Sequence, residues 1–168
     1  MDFRSMDNRQ KGEIVLTILR IAIGWMMLWG FLDKMFGLGF ETEPGSGLID
    51  GVSPSSFVVY VTGGIFKDLF LSMAGNPFVD FMMMAGMLTI GITMIFGFAT
   101  KLTSIAMTAF LLVMYMLCVP PLDNPLIDYH ITWIFAVWAI YLLGGYDHLS
   151  VRERWNSLGI VKRFPILG

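Results

Sequence analysis

Residues Ile14–Phe36 read IVLTILRIAIGWMMLWGFLDKMF, and this stretch decides the fold class. Crossing the hydrocarbon core of a bilayer takes about 20 apolar residues in a helix. The segment meets that length with only Arg20, Asp33 and Lys34 charged. It is too long for the apolar region of a cleaved leader and carries a cation inside. It also runs into FGLGFETEP without a small-x-small cleavage pattern. The reading is a transmembrane helix.

The rest of the chain agrees. Hydrophobic residues make up 56% of the 168 residues and charged ones 14%, with 14 Met, 14 Phe and 5 Trp. A water-soluble fold has no place for that much apolar surface. With a net charge of −2, disorder and nucleic-acid binding are excluded as well, since both need polar or basic excess. Further spans are expected at about 78–98, 102–119 and 129–144, the last short but flanked by Tyr129, Trp133, Tyr141 and Tyr146 as interfacial anchors. The expectation is one all-α integral membrane domain, a four-helix transmembrane bundle in the plasma membrane.

Lys and Arg set the orientation. Arg4, Arg9, Lys11, Lys101, Arg152, Arg154, Lys162 and Arg163 fall on one side of the spans, and only Lys67 on the other. That asymmetry places both termini in the cytoplasm. The outer side then holds Glu41, Glu43, Asp50, Asp68 and Asp123. Within the outer loop, 37–77, Ile65, Phe66, Leu69, Phe70 and Met73 form the stripe of an amphipathic helix. It is expected to lie in the outer interface or to cap the bundle. The tail, 146–168, mixes apolar and basic residues and reads as a strip for anionic lipid or a partner. A short repeat, Asn76-Pro77-Phe78-Val79-Asp80 and Asn124-Pro125-Leu126-Ile127-Asp128, is expected to open the second and fourth helices, with Asn as cap and Pro in the first turn. It points to two parallel helical hairpins.

Ionisable groups at membrane depth are the first candidates for chemistry. On the first helix Arg20, Gly24, Met27, Phe31 and Lys34 share a face, and Asp33 points almost opposite. If that face looks inward, Lys34 offers an anion a positive charge; otherwise it pairs with Asp33 at the surface or, like Arg20, snorkels to its nearer interface. His130, one turn into the fourth helix, suits proton transfer, with Asp128 and Asp80 close by if the hairpins pack together. The alternative is a histidine that only bonds a loop carbonyl. Asp128, His130 and Lys34 are the catalytic candidates; Arg20, Asp33, Trp29, Asn76, Asp80 and Asn124 are those for substrate or quinone binding. Cys118, without an obvious base in sequence, reads as a core residue. A single Cys excludes two-Cys and four-Cys metal sites, so no metal is expected, and haem, iron–sulfur and flavin motifs are missing from the sequence. The methionines, Met82-Met83-Met84 included, read as adaptable packing. Gly86, Thr93 and Gly97, then Thr100, Ser104 and Thr108, read as close-packing seams.

Several pieces resemble the DoxX family, which includes the DoxD-type membrane subunit of thiosulfate:quinone oxidoreductase. They are Leu19-Arg20 with Gly24 and Gly30 to Lys34, Gly51-Val52-Ser53-Pro54-Ser55, and Ala74-Gly75-Asn76-Pro77-Phe78-Val79-Asp80. Val119-Pro120-Pro121-Leu122-Asp123-Asn124-Pro125, Asp128-Tyr129-His130 and Lys162-Arg163-Phe164-Pro165 complete the set. The resemblance covers nearly the whole chain. It implies a four-helix membrane bundle, membrane quinone as substrate or bound lipid, and electron transfer from thiosulfate or a similar sulfur oxyanion. It also implies a second subunit or homo-oligomer in the bilayer, with no nucleic acid. The competing reading is a non-catalytic scaffold that assembles other redox proteins.

Overall fold

The computed structural model describes residues 5–121 and 124–168; Arg4, Leu122 and Asp123, used above, lie outside them. The described residues are helical, without strands. Helix α1 spans Asn8–Phe36, α2 Val58–Val61, α3 Lys67–Met73, α4 Pro77–Phe96, α5 Thr100–Cys118, α6 Tyr129–Leu142, α7 Arg152–Ser157 and α8 Gly159–Arg163. Among them α1, α4 and α5 are long and apolar enough to cross a membrane, while α6 is a shorter apolar helix of 14 residues.

Local chemistry sets the ends. Asp7 caps α1 by accepting from the Gln10 amide at 2.8 Å, and the Gln10 side chain accepts in return from the Asp7 amide at 3.1 Å. The helix stops at Gly37, which takes a left-handed φ of 61° and sends its N–H to the Asp33 carbonyl. Asn76 caps α4, with Pro77 in its first turn, as the repeat suggested. The second copy differs. Asn124 Oδ1 accepts from the Leu126 and Ile127 amides in a turn, and Asp128 caps α6 through the His130 and Ile131 amides. Asp80 therefore lies inside its helix and Asp128 outside, because an Asx turn after Asn124 uses up the residues that a helix would have taken.

Helix α1 packs mainly on α4, and α5 mainly on α6; smaller seams join α4 to α5 and α1 to α6. The α1–α4 contact is close because glycines face backbone. A Cβ at Gly24 would lie 2.9 Å from the Ile95 nitrogen, and one at Gly91 2.8 Å from the Leu28 nitrogen. The interior is rich in methionine: Met27, Met83, Met84, Met87, Met94 and Met107 are buried, while Met82 is exposed. The outward surface stays apolar, with Phe78, Phe81 and Phe135 exposed by 69%, 64% and 70%. Thr108 accepts from the Trp138 indole at 3.1 Å across the α5–α6 seam.

The stripe at 65–73 falls at one short helix, α3, and a further short helix, α2, precedes it in the loop. A break at Gly63-Gly64 lets the loop cross the end of α5, where a Cβ on Gly64 would overlap the Val119 carbonyl. Pro120 and Pro121 prevent α5 from continuing, and the loop satisfies its free carbonyls. Thr62 Oγ1 donates to Leu117 at 3.0 Å and the Ile65 amide to Val119 at 3.0 Å. Phe70 is buried with Val58 and Leu117, whereas Ile65 and Leu69 remain exposed. At the opposite end the tail folds against the helices. Trp155 packs at a tilt against Phe98 with centroids 4.8 Å apart, Val161 is buried, and the Gly168 carbonyl accepts from the Lys101 amide at 3.1 Å.

Candidate functional site

Arg20 does not snorkel. It is fully buried, and its five N–H groups meet five carbonyls. Nε donates to Gly145 at 2.9 Å, Nη1 to Met94 and to Ile95 at 3.1 Å, and Nη2 to His148 at 3.2 Å and Leu149 at 2.8 Å. The Tyr146 ring stacks against the guanidinium at 5.1 Å. Burial pushes the Tyr146 phenol up to about 12 despite that cation, so it stays neutral. A Cβ at Gly97 would lie 2.6 Å from Arg20 Nη1, which is why the end of α4 carries no side chain there. With every donor engaged, Arg20 joins the tail ends of α1, α4 and α6.

The face of α1 shared by Arg20, Gly24, Met27 and Lys34 looks inward: the first three are buried and Lys34 is nearly so. Asp33, expected on the far side, is buried as well, because the loop after Gly37 folds back over it. Its carboxylate accepts from the Phe40 amide at 3.3 Å and the Thr42 amide at 2.8 Å. Asp33→Ala should release this loop at a cost of about 1–3 kcal/mol. Glu-specific endopeptidase should then cut after Glu41 or Glu43 several-fold faster, and an unchanged rate would count against this role for Asp33. Trp29 lies between Trp25 and Phe40, at centroid distances of 5.7 and 5.0 Å.

Lys34 pairs with Glu41 at 3.1 Å, with the Phe57 ring 5.2 Å from its ammonium, in place of the Asp33 pair. It lines a pocket of about 430 Å³ that also contains Glu41 and Glu43. Two carboxylates against one ammonium leave this pocket net negative. Asp80 accepts from the Ser53 hydroxyl and the Ser55 amide, each at 2.8 Å, and the Ser55 hydroxyl accepts from the Gly75 amide at 3.0 Å. Asn76 and Asn124 are exposed and serve their turns.

His130 and Asp128 do come together, and sequence reasoning missed their third neighbour. His130 Nδ1 lies 2.6 Å from Asp128 Oδ2, and Cys118 Sγ lies 3.7 Å from the same oxygen. Asp128 Oδ1 is held by the His130 and Ile131 amides at 2.9 and 3.3 Å. Burial opposes ionisation of Asp128, but hydrogen bonds from the His130 ring and these amides outweigh it and hold the carboxyl below its ordinary range. The thiol also reaches the Tyr115 carbonyl at 3.4 Å. Tyr115 itself donates to the Leu126 carbonyl at 2.8 Å, tying the loop before α6 to α5. The missed signal was positional: Cys118 ends one helix and Asp128 opens the next, so a returning chain brings them together.

A separate cleft of about 520 Å³ lies between α4 and α5 under α2 and α3. Phe57, Phe70, Met83, Ala109, Phe110 and Leu117 are among its lining, and Ser55 alone of the lining residues carries a hydroxyl. Comparison with protein-family models, curated proteins and solved structures finds no match.

Proposed function

We propose that the chain is a multi-pass plasma-membrane protein, similar to the DoxX family, that serves as the membrane subunit of a quinone-linked oxidoreductase. In this reading α1, α4, α5 and α6 form a four-span bundle with both termini cytoplasmic, supported by the Lys and Arg distribution. Helix α6 is about 21 Å long at 1.5 Å per residue, so its crossing calls for a locally thinned bilayer.

The observation that carries the proposal is the α4–α5 cleft. It is apolar throughout, bordered by the exposed Phe78 and Met82, and supplied with one hydroxyl at its loop end. An isoprenoid quinone needs that combination, an apolar channel with few polar groups for its ring. Bound quinone supplies a sink for two electrons and two protons. On the protein side, Ser55, Ser53 and Asp80 form a hydrogen-bonded line from the cleft toward the loop surface that can carry a proton. The sequence shows no haem, iron–sulfur or flavin motif, so a second subunit of different sequence is assigned the redox centre. The acidic pocket around Lys34 repels a sulfur oxyanion unless Glu41 is displaced; thiosulfate as donor therefore rests on the resemblance.

The test is decylubiquinone binding to protein in detergent micelles, followed by tryptophan quenching. Ala109→Trp, which fills the cleft, should weaken binding at least ~10-fold. Failure of the folded wild-type protein to bind the quinone, or equal binding by the variant, would favour the scaffold reading. Where quinone binds, thiosulfate-dependent reduction is then measured with Lys34→Ala and His130→Ala. Activity unchanged by both would remove those residues from the reaction.

A further inference from the structure

The geometry points to a second site, independent of the quinone cleft: a single late first-row divalent cation of the zinc type held by Cys118, Asp128 and His130. One ligand atom from each residue lies within 4.8 Å of the other two. They come from separate pieces of chain, the last residue of α5 and the cap and second residue of α6.

The arrangement suits a metal better than a catalytic thiol. In a nucleophile triad the imidazole stands between thiol and carboxylate, so that it can take the thiol proton. Here the carboxylate stands in the middle, contacting Sγ on one side and Nδ1 on the other. The three donor atoms cluster together instead of forming a relay. Zinc bonded to sulfur at about 2.3 Å and to oxygen at about 2.1 Å separates the two in a tetrahedron by about 3.6 Å, and the observed separation is 3.7 Å. The nitrogen–oxygen edge should be about 3.4 Å on the same geometry. The 2.6 Å hydrogen bond must therefore open by roughly 0.8 Å, which small side-chain rotations supply, as the metal takes the proton's place.

Charge and donor softness select the ion. A thiolate and a carboxylate neutralise a divalent cation, with the imidazole neutral, as a site close to the membrane requires. Thiolate and imidazole exclude magnesium and calcium, which take oxygen donors. The supporting contacts are in place as well. Two amides fix Asp128 Oδ1 and leave Oδ2 forward, and the Tyr129 ring packs at a tilt against His130 with centroids 4.0 Å apart. The Tyr115–Leu126 hydrogen bond fixes the intervening loop. Three protein ligands leave a fourth position for water or another ligand. The sequence concealed the site because its ligands are of three different types and lie ten and two residues apart, with no repeated Cys or His spacing.

The experiment uses full-length protein in detergent micelles, washed with chelator and titrated with CoCl2, then with ZnCl2. The wild type should take up one Co²⁺ per chain with a near-ultraviolet thiolate-to-cobalt charge-transfer band that ZnCl2 abolishes. Cys118→Ser should lose that band. Asp128→Asn, which preserves the helix cap, and His130→Ala should each weaken uptake at least ~10-fold. Circular dichroism confirms that each variant is folded. The proposal is overturned if folded wild type takes up no stoichiometric Co²⁺, if Co²⁺ binds without the charge-transfer band, or if folded Cys118→Ser retains that band.

Discussion

Arg20→Ala should destabilise the protein by more than about 4 kcal/mol, seen as a fall in the SDS concentration or temperature at which it unfolds. Five carbonyls from three stretches of chain lose their donor together. Each buried acceptor left unpaired costs about 1–3 kcal/mol, water at the tail end recovering part of the sum. The guanidinium also holds the Leu149 carbonyl, whose residue has a left-handed φ of 46° that leucine adopts only under constraint. Arg20→Lys should fail in the same direction to a smaller extent, since one ammonium has three donors and no planar fork. A loss below about 1 kcal/mol in Arg20→Ala would mean that water replaces the guanidinium and that this junction is not buried in solution.

Gly91→Val should be the second most damaging change, at about 3 kcal/mol. The new Cβ would lie 2.8 Å from the Leu28 nitrogen and 3.0 Å from its Cα. These are backbone atoms, so relief requires moving α1 away from α4 along their principal contact. Gly86→Ala on the same helix is the control. Its Cβ would meet only the Phe110 ring at 3.5 Å, an ordinary contact, and alanine favours the helix. It should be neutral or slightly stabilising. Equal losses in the two variants would show that helix α4 resists any added bulk, and that the Gly91 approach is not special.

Gly91 and Gly86 also show how far the pattern of small residues could be read. Gly86, Thr93 and Gly97 share a helical face, but they serve different purposes: Gly86 lines the cleft, Thr93 bonds within its own helix, and Gly97 makes room for Arg20. The closest approach falls on Gly91, which no spacing singled out. Proximity between helices depends on which faces meet, and that is not a property of one helix.

The titratable residues follow the same division. His130 and Asp128 were expected near each other through hairpin packing; the structure brings them together because Asp128, and not Asn124, caps α6 beside its first turn. Lys34, Asp80 and Asp33 were legible as costly groups at membrane depth, but their partners were not. Loop residues supply those partners: Glu41 for Lys34, Ser53 and Ser55 for Asp80, the Phe40 and Thr42 amides for Asp33.

By itself, then, the sequence determined the helical class, the three long apolar helices, which residues share a face of α1 and the cap at Asn76. These depend on hydrophobic run length, on a period of 3.6 residues and on turn chemistry, all local along the chain. Only the tertiary structure decided that Arg20 is a buried junction, that Asp33 organises a loop, and that Cys118 meets Asp128 and His130. Those outcomes depend on where the loops return. An irregular loop is placed by the unpaired backbone and side-chain groups it satisfies at helix ends far away in sequence, and a linear reading cannot pair them.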